Sequence, residues 1–328
     1  MAPRFDITRV RLRNYKSIES CDVELGPLTL LVGPNGSGKS NFLDALQFVA
    51  DALNTNLENA FRERGGFGKV SRFGQGEVEI TVEARLGDRP YSYGIVVAPS
   101  GEDGFELREE SWRTPDVSGC GNAPPDVSGC GNAPPDLAEM LARIQVFTLV
   151  PSRMAAPHWS NDGDRLLPDG SNIAGAVARI ERTDPEASRR VDDYLRLVAA
   201  GVSVAGFTPS AMSTGTLHAV GVLVALFDGT APVAIENPEK GLHPAAAGAL
   251  MDAFRDGVDR HQVLLATHSS DLLDVPGVDS REILAVRSVG GKTVLGSPGP
   301  VHRDFLRKKV LTAGQMLRAD QLVPEGVG

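Results

Sequence analysis

Cysteine is scarce in this chain: three in 328 residues, at Cys21, Cys120 and Cys130. That number excludes a disulfide framework and a four-ligand zinc site, and it suits a reducing compartment. Long apolar runs are missing too. No stretch of about 18 apolar residues occurs, so no membrane span is expected. The opening MAPRFDITRV carries a charge by its fourth residue and lacks the apolar segment of a secretory signal, so a cytoplasmic location without a membrane partner is expected. Positive charge is in deficit, at a net −9, which excludes a protein coated in positive potential but leaves room for a local basic stripe. No heptad pattern reaches three repeats, so no coiled-coil arm is expected to interrupt the fold.

What is present is LLVGPNGSGKSNFLDAL, Leu30 to Leu46. Gly33, Gly38, Lys39 and Ser40 fit the pattern GxxxxGK[ST] without a mismatch, after an apolar strand and before an amphipathic helix. The spacing has a physical job. Gly36 and Gly38 allow positive φ, so that the loop from Gly33 and Pro34 through Asn35, Gly36, Ser37 and Gly38 to Asn41 can wrap a polyphosphate and turn its N–H groups, of which Pro34 has none, inward at the positive end of the helix dipole. Lys39 then bridges the terminal phosphates and the Ser40 hydroxyl ligates Mg²⁺.

Patterning fills in the rest. Ile7 to Arg13 and Cys21 to Leu25 alternate like half-buried strands, and Leu28 to Val32 reads as a fully buried one. Helix is expected from Lys39 to about Leu53, then strands at Glu77 to Leu86, Tyr91 to Ala98 and Phe105 to Trp112, an antiparallel subsheet. Residues Pro115 to Pro134 are a tandem duplication of PDVSGCGNAP, read as a flexible surface loop in which Cys120 and Cys130 look paired only because the unit was copied. Leu137 to Arg143 suggests a short helix, Ile144 to Val150 a buried strand, and Ser171 to Ala200 a helical region broken at Pro185. From Thr214 onward, strands alternate with helices, which predicts a mainly parallel sheet covered on both faces. Four divisions follow: residues 1–113 (phosphate loop and subsheet), 114–136 (duplicated loop), 137–210 (helical lobe) and 211–328.

Three further stretches carry chemistry. PVAIENPEKGLHP, Pro232 to Pro244, delivers Glu236 at the C-terminal end of a strand, where it can hold Mg²⁺ through water. VLLATHSSDLLD, Val263 to Asp274, places His268 directly after a buried strand, within reach of a γ-phosphate. AMSTGTLHAV, Ala211 to Val220, offers Ser213, Thr214, Gly215 and Thr216 at a helix N-terminus, either a cap alone or an anion site facing another subunit.

These residues resemble the ATPases with ABC-type heads, the SMC, RecF, Rad50 and overcoming-lysogenization-defect (OLD) proteins, and most closely the stand-alone AAA-type members of the last group. ITRVRLRNYKSIESCDVELGPLTLLVGPNGSGKSNFLDAL looks like their N-terminus, STGT their signature loop, IENPEKGLHP their Walker B and D-loop, ATHSSDLLD their switch-histidine segment and LTAGQMLRADQL their C-terminal end. The duplicated loop and the middle lobe lie outside the resemblance. It implies an α/β P-loop NTPase with an ABC-type head, a mainly parallel sheet, an antiparallel subsheet and a helical lobe. It also implies a homodimer in which ATP on Lys39 and Ser40 of one subunit is closed off by Ser213, Gly215 and Thr216 of the other. Gly241, Leu242 and His243 would form the D-loop, and Gln75 and Gln145 both stand as Q-loop glutamines. Tyr15 or Lys16 would touch adenine or phosphates.

The chain departs from the ABC pattern after Glu236, which takes the place of the Mg²⁺-binding Asp. Asn237 stands where ABC heads carry the catalytic Glu, and an amide can orient water but cannot accept its proton. Glu239 is the nearest carboxylate that could take over. The expectation is slow, Mg²⁺-dependent ATP hydrolysis in DNA repair or anti-phage defence with a partner effector, the alternative being a non-hydrolysing ATP-gated scaffold. With 60 residues after His268 and no DxD among them, cleavage would have to come from that effector. Candidate DNA contacts are Arg9, Arg11 and Arg13, then Arg62, Arg64, Lys69 and Arg72, and finally Arg303, Arg307, Lys308 and Lys309.

Overall fold

The structure, a computed structural model, describes residues 3–101, 104–121, 133–157, 165–199 and 207–327. Its strands are β1 (Phe5–Tyr15), β2 (Ile18–Glu24), β3 (Leu28–Val32), β4 (Val78–Leu86), β5 (Arg89–Ser100), β6 (Gly104–Arg113), β7 (Ser118–Gly121), β8 (Gln145–Phe147), β9 (Val233–Glu236), β10 (Val263–Thr267), β11 (Ile283–Val289) and β12 (Lys292–Gly296). The helices of its first half are α1 (Lys39–Asn54), α2 (Leu57–Glu63), α3 (Phe67–Val70), α4 (Pro135–Ala142), α5 (Pro151–Met154) and α6 (Ile173–Thr183). Those of the second are α7 (Pro185–Val198), α8 (Thr214–Phe227), α9 (Ala247–Val258), α10 (Ser270–Leu273), α11 (Pro300–Arg307) and α12 (Ala313–Arg318).

All the strands join one sheet in the order β7-β6-β5-β4-β1-β2-β12-β11-β3-β10-β9-β8. From β11 to β8 the neighbours are parallel; from β7 to β2 they are antiparallel. Following the directions shows what shares an edge. β12 runs against β11 and with β2, β1 against β2, and β4 against β1. The β11–β12 turn, the β1–β2 turn and the segment entering β4 therefore lie at the same end of the sheet as Gly33.

Side-chain alternation along β3 divides two cores. Leu31 faces one cluster, in which α1 (Phe42, Leu43, Leu46, Phe48, Val49) is sandwiched against Ile7, Val10 and Leu12 of β1 and Val82 of β4. Leu28, Leu30 and Val32 face the other, built from α6, α7, α8 and α9. Each fully buried Leu or Phe contributes roughly 1.5–3 kcal/mol, which is why a five-residue strand buried throughout can anchor the phosphate loop. α8 is apolar all round because helices and the sheet cover it on every side but its N-terminus: eleven of its fourteen residues are buried.

Two expectations change. Within the duplication the first SGCG is a strand rather than loop: β7 pairs with β6, and Gly119 leaves room for Trp112, since a Cβ there would lie 2.2 Å from the indole. The edge of β6 supplies the hydrogen bonds that composition alone does not foresee. Residues 122–132, including Cys130, lie outside the described residues. The strand expected over residues 144–150 is the shorter β8, and it joins the main sheet beside β9. Among the described residues no helix is long and apolar enough to cross a membrane.

The two halves of the sheet are tied at the far edge by Gln262. Its fully buried amide accepts from Ile7 N (2.8 Å) and donates to Ile7 O (2.7 Å) and Gly26 O (2.9 Å). Gln262→Leu leaves those three backbone groups without their partner, and a thermal or denaturant unfolding curve should show a loss of at least about 2 kcal/mol. A loss under half of that would mean the tie is not structural.

Candidate functional site

The loop after β3 owes its shape to what surrounds it. Gly38 adopts φ 104° and Gly36 φ 75°, both closed to most side chains. Packing adds a second reason: a Cβ on Gly38 would fall 1.9 Å from Thr293 Oγ1, and one on Gly33 2.1 Å from Val286 O. β11 and β12 thus press on the loop from behind, and Thr293 donates to Ser37 O (2.9 Å). A second brace comes from the β1–β2 turn, where Ser17 Oγ meets Thr293 Oγ1 (2.7 Å) and accepts from Asn41 Nδ2 (2.6 Å). The Ser37 hydroxyl is buried without a protein partner.

Asn35, Gly36, Gly38, Lys39, Ser40, Asn41, Glu236, Asn237 and Ala266 line one cavity of about 180 Å³ at the ends of β3, β9 and β10. That volume is below the range of pockets that enclose a drug-sized ligand, and its polar lining suits phosphates with the rest of a ligand outside. Gly33, Pro34 and Ser37 do not line it. They shape the loop instead, and the Lys39 ammonium donates to the carbonyls of Gly33 (2.7 Å) and Pro34 (3.0 Å). Burial lowers the Lys39 pKa, opposed by the charges of Glu239 and then Glu236. An anion in the cavity would offer this desolvated ammonium a better partner than two carbonyls.

Glu236 closes β9, and its carboxylate accepts from Thr148 Oγ1 (3.1 Å), just beyond β8. Asn237 follows in the left-handed region at φ 46°, its N–H on Ala266 O (2.8 Å) and its Oδ1 on His268 Nδ1 (3.0 Å). Asn tolerates this conformation better than most residues. Glu239 lies one step back from the cavity. One carboxylate oxygen accepts from Thr267 Oγ1 (2.7 Å) and the His268 backbone N–H (3.4 Å), and the other is buried with no partner. The His268 ring is 45% exposed and does not itself line the cavity, which it reaches through Asn237.

Ser40 and Glu236 bring a hydroxyl and a carboxylate to the cavity lining, and hard oxygen ligands suit Mg²⁺. Among the described residues no group of three or more His, Cys, Asp or Glu is placed to hold a metal. Mg²⁺ keeps several waters and is commonly held by one or two protein ligands plus phosphates, so this donor set fits it once phosphates are present.

The STGT tip does not line the cavity. Ser213 caps α8, accepting from Thr216 N (3.2 Å), and both Ser213 and Thr214 are exposed. Gly215 packs on Gly241, so closely that a Cβ would sit 2.1 Å from its carbonyl oxygen. The two turns thus form a single exposed surface, and His243 caps the short turn that follows. From the inside of α8, His218 donates to Asn237 O (3.0 Å), and burial lowers its pKa. Sequence reading missed His218, Thr148, Thr293 and Ser17, because nothing in their spacing marks them: each acts through a partner distant in the chain.

Other candidates move away from the site. Tyr15 is fully buried, its phenol donating to Asp44 (2.6 Å), which also pairs with Lys16 and Arg64. Burial, then the Asp44 charge, raises the Tyr15 pKa well above its usual value. Gln145 sits beside Val233, at the opposite end of parallel β8 and β9 from Glu236, whereas Gln75 is exposed on the rim shared with Gly33. The basic stripe on β1 is neutralised across strands, Arg9 by Asp22 (2.5 Å), Arg11 by Glu83 (2.7 Å) and Arg13 by Glu79 (2.9 Å). Arg303, Arg307 and Lys308 likewise pair with Glu325 and Asp304.

A family model described as "AAA domain, putative AbiEii toxin, Type IV TA system" matches residues 28–126 and 142–274, more than half of the chain. The chain belongs to this family. Its fold is that of an ABC-type head, and parts of its sequence resemble RecF and OLD proteins. It is 35% identical over 88 residues to an OLD nuclease of Thermus scotoductus, covering 27% of this chain and 16% of that protein. It is 39% identical over 62 residues to the DNA replication and repair protein RecF of Corynebacterium jeikeium, covering 18% and 15%. The chain thus spans less than a fifth of either relative. Among solved structures, the Smc head of Pyrococcus furiosus bound to the C-terminal domain of ScpA superposes with a TM-score of 0.61 at 13% identity, over 93% of this chain and 99% of that one. A second Smc head, bound to the C-winged helix domain of ScpA, gives 0.58 at 15% identity over 88% and 97%.

Gly215→Ala tests the contact between the two exposed turns. The added methyl must push Gly241 aside, and an unfolding curve should show a loss of about 1–3 kcal/mol. An unchanged curve would mean that the turns are free to separate.

Proposed function

We propose that this chain binds ATP with Mg²⁺ in the cavity at Lys39 and that two copies close around the nucleotide, each presenting Ser213, Gly215 and Thr216 to the other's phosphates. The observation that carries this is the convergence of Lys39, Ser40, Glu236 and Asn237 on one small polar cavity, with an exposed helix N-terminus elsewhere on the chain for a partner's anion. Lys39 exchanges its two carbonyls for phosphate oxygens. Ser40 and Glu236 hold the metal, which supplies charge neutralisation when bound. His268, held by the cavity residue Asn237, reports the terminal phosphate.

Hydrolysis needs a proton acceptor, and the Asn237 amide cannot serve. Glu239 takes that role: it is held by Thr267 and has an oxygen without a partner, next to the Asn237–His268 pair that orients water. Its position one step back from the cavity supports slow turnover. Glu239→Gln should lower steady-state phosphate release by about 100-fold while ATP affinity stays within about threefold, and Lys39→Ala should abolish binding itself. Turnover that survives Glu239→Gln would remove Glu239 from the reaction.

The larger role in this reading is DNA repair or anti-phage defence with an effector supplied by another chain; the partial similarity to a DNA replication and repair protein and to an OLD nuclease supports its DNA-related part. Asn237 favours a second reading, an ATP-gated scaffold that docks an effector without hydrolysis. Wild-type phosphate release indistinguishable from that of Lys39→Ala would select it.

A further inference from the structure

The rim shared with Gly33 carries a second concavity that no motif announces. Arg13, Asn14, Glu19, Arg72, Phe73 and Gln75 line a cleft of about 500 Å³, a size at which organic ligands bind. Phe73 stands on its edge, 83% exposed, in the left-handed region at φ 57°, ψ 18°. Both properties are costly for a bulky aromatic residue, and strain of this kind concentrates at ligand sites. Gly74 and Gly76 on either side of Gln75 also have positive φ, so the turn presents the ring outward.

One face of that ring is already taken. The Arg72 guanidinium lies 4.4 Å from its centroid, itself 92% buried and fixed by Glu19 (3.1 Å), which Lys292 also holds (2.7 Å). Arg72 Nε is buried with no partner in the protein, a donor that a ligand acceptor would satisfy. The other ring face is open to solvent. A guanidinium beneath and free space above make a platform for a flat, polarisable ring. The platform is also tied to the phosphate loop: Lys292 adjoins Thr293, which donates to Ser37 and packs on Gly38.

We infer that the Arg72–Phe73 pair is a stacking site for an unpaired nucleobase, with the Arg72 Nε–H meeting an acceptor at the base or sugar edge. The base comes from the nucleotide whose phosphates Lys39 holds, in which case the site deepens the ATP-binding reading, or from an unpaired strand of nucleic acid. The chemistry recognised is the same in both. The paired arginines of β1 support the nucleotide as the source, because a strand would need free positive charge along its backbone.

Phe73→Leu removes the π-face and keeps apolar bulk. Dissociation constants should be measured for ATP, for inorganic tripolyphosphate and for a fluorescent single-stranded oligonucleotide, on wild type and variant. A loss of about tenfold or more for ATP, with tripolyphosphate unchanged, assigns the platform to the nucleotide base and shows that the variant is folded. A similar loss confined to the oligonucleotide assigns it to a strand. Equal affinities of wild type and variant for both base-bearing ligands would overturn the inference. Wild-type protein that binds neither ATP nor tripolyphosphate would instead bring down the phosphate-site reading, and the oligonucleotide comparison alone would then decide the platform.

Discussion

An ammonium nearly out of reach of water sets the terms for this molecule. Lys39 is 7% exposed and rests on two carbonyls of its own loop. Carbonyl dipoles are weak compensation for a desolvated charge, so the site is organised to receive an anion. The rest of the fold keeps the ammonium there. β3 is buried on both faces, Thr293 and Val286 press on Gly38 and Gly33, and Ser17 and Asn41 brace the loop from the β1–β2 turn. A loop with bulkier residues at Gly33 or Gly38 would collide with β11 and β12 before it met a ligand.

Much of this was legible in the sequence for a simple reason. The phosphate loop, β3, α1 and α8 are local: their glycines, apolar periods and caps lie within a few residues of what they determine. The expected span of β3, Leu28 to Val32, coincides with the observed one. Legibility ended where partners are distant in sequence. Thr293 is 256 residues from the Ser37 carbonyl it supports, and Gln262 is 255 from Ile7. Alternation of Arg9, Arg11 and Arg13 showed that one side of β1 is basic, but the carboxylates that neutralise it arrive from β2 and β4. Tyr15 lies next to the phosphate-loop end of the sheet, yet its phenol is turned into the core against Asp44.

Two short contacts join the segment at the Lys39 cavity to the exposed STGT tip. Gly215 touches Gly241, four residues beyond Asn237, and His218 holds the Asn237 carbonyl from the first turns of the same helix. A partner's anion arriving at the N-terminus of α8 would therefore press on the segment that carries Glu236, Asn237 and Glu239. The Gly215–Gly241 contact would not survive a larger side chain at Gly215 unchanged. In the proposed dimer, these contacts would provide a mechanical route from closure to the reacting end, made from two helix turns and a loop.

The central claim is that one nucleotide is held by two copies, the lysine from one and the serine cap from the other. Mixing tests it most directly. Lys39→Ala and Ser213→Arg variants, each unable to form the ATP-dependent dimer alone, should together yield a heterodimer with one intact composite site, seen by sedimentation or mass photometry only when ATP is present. Failure of the mixture to associate, or association of either variant by itself with ATP, would contradict the account.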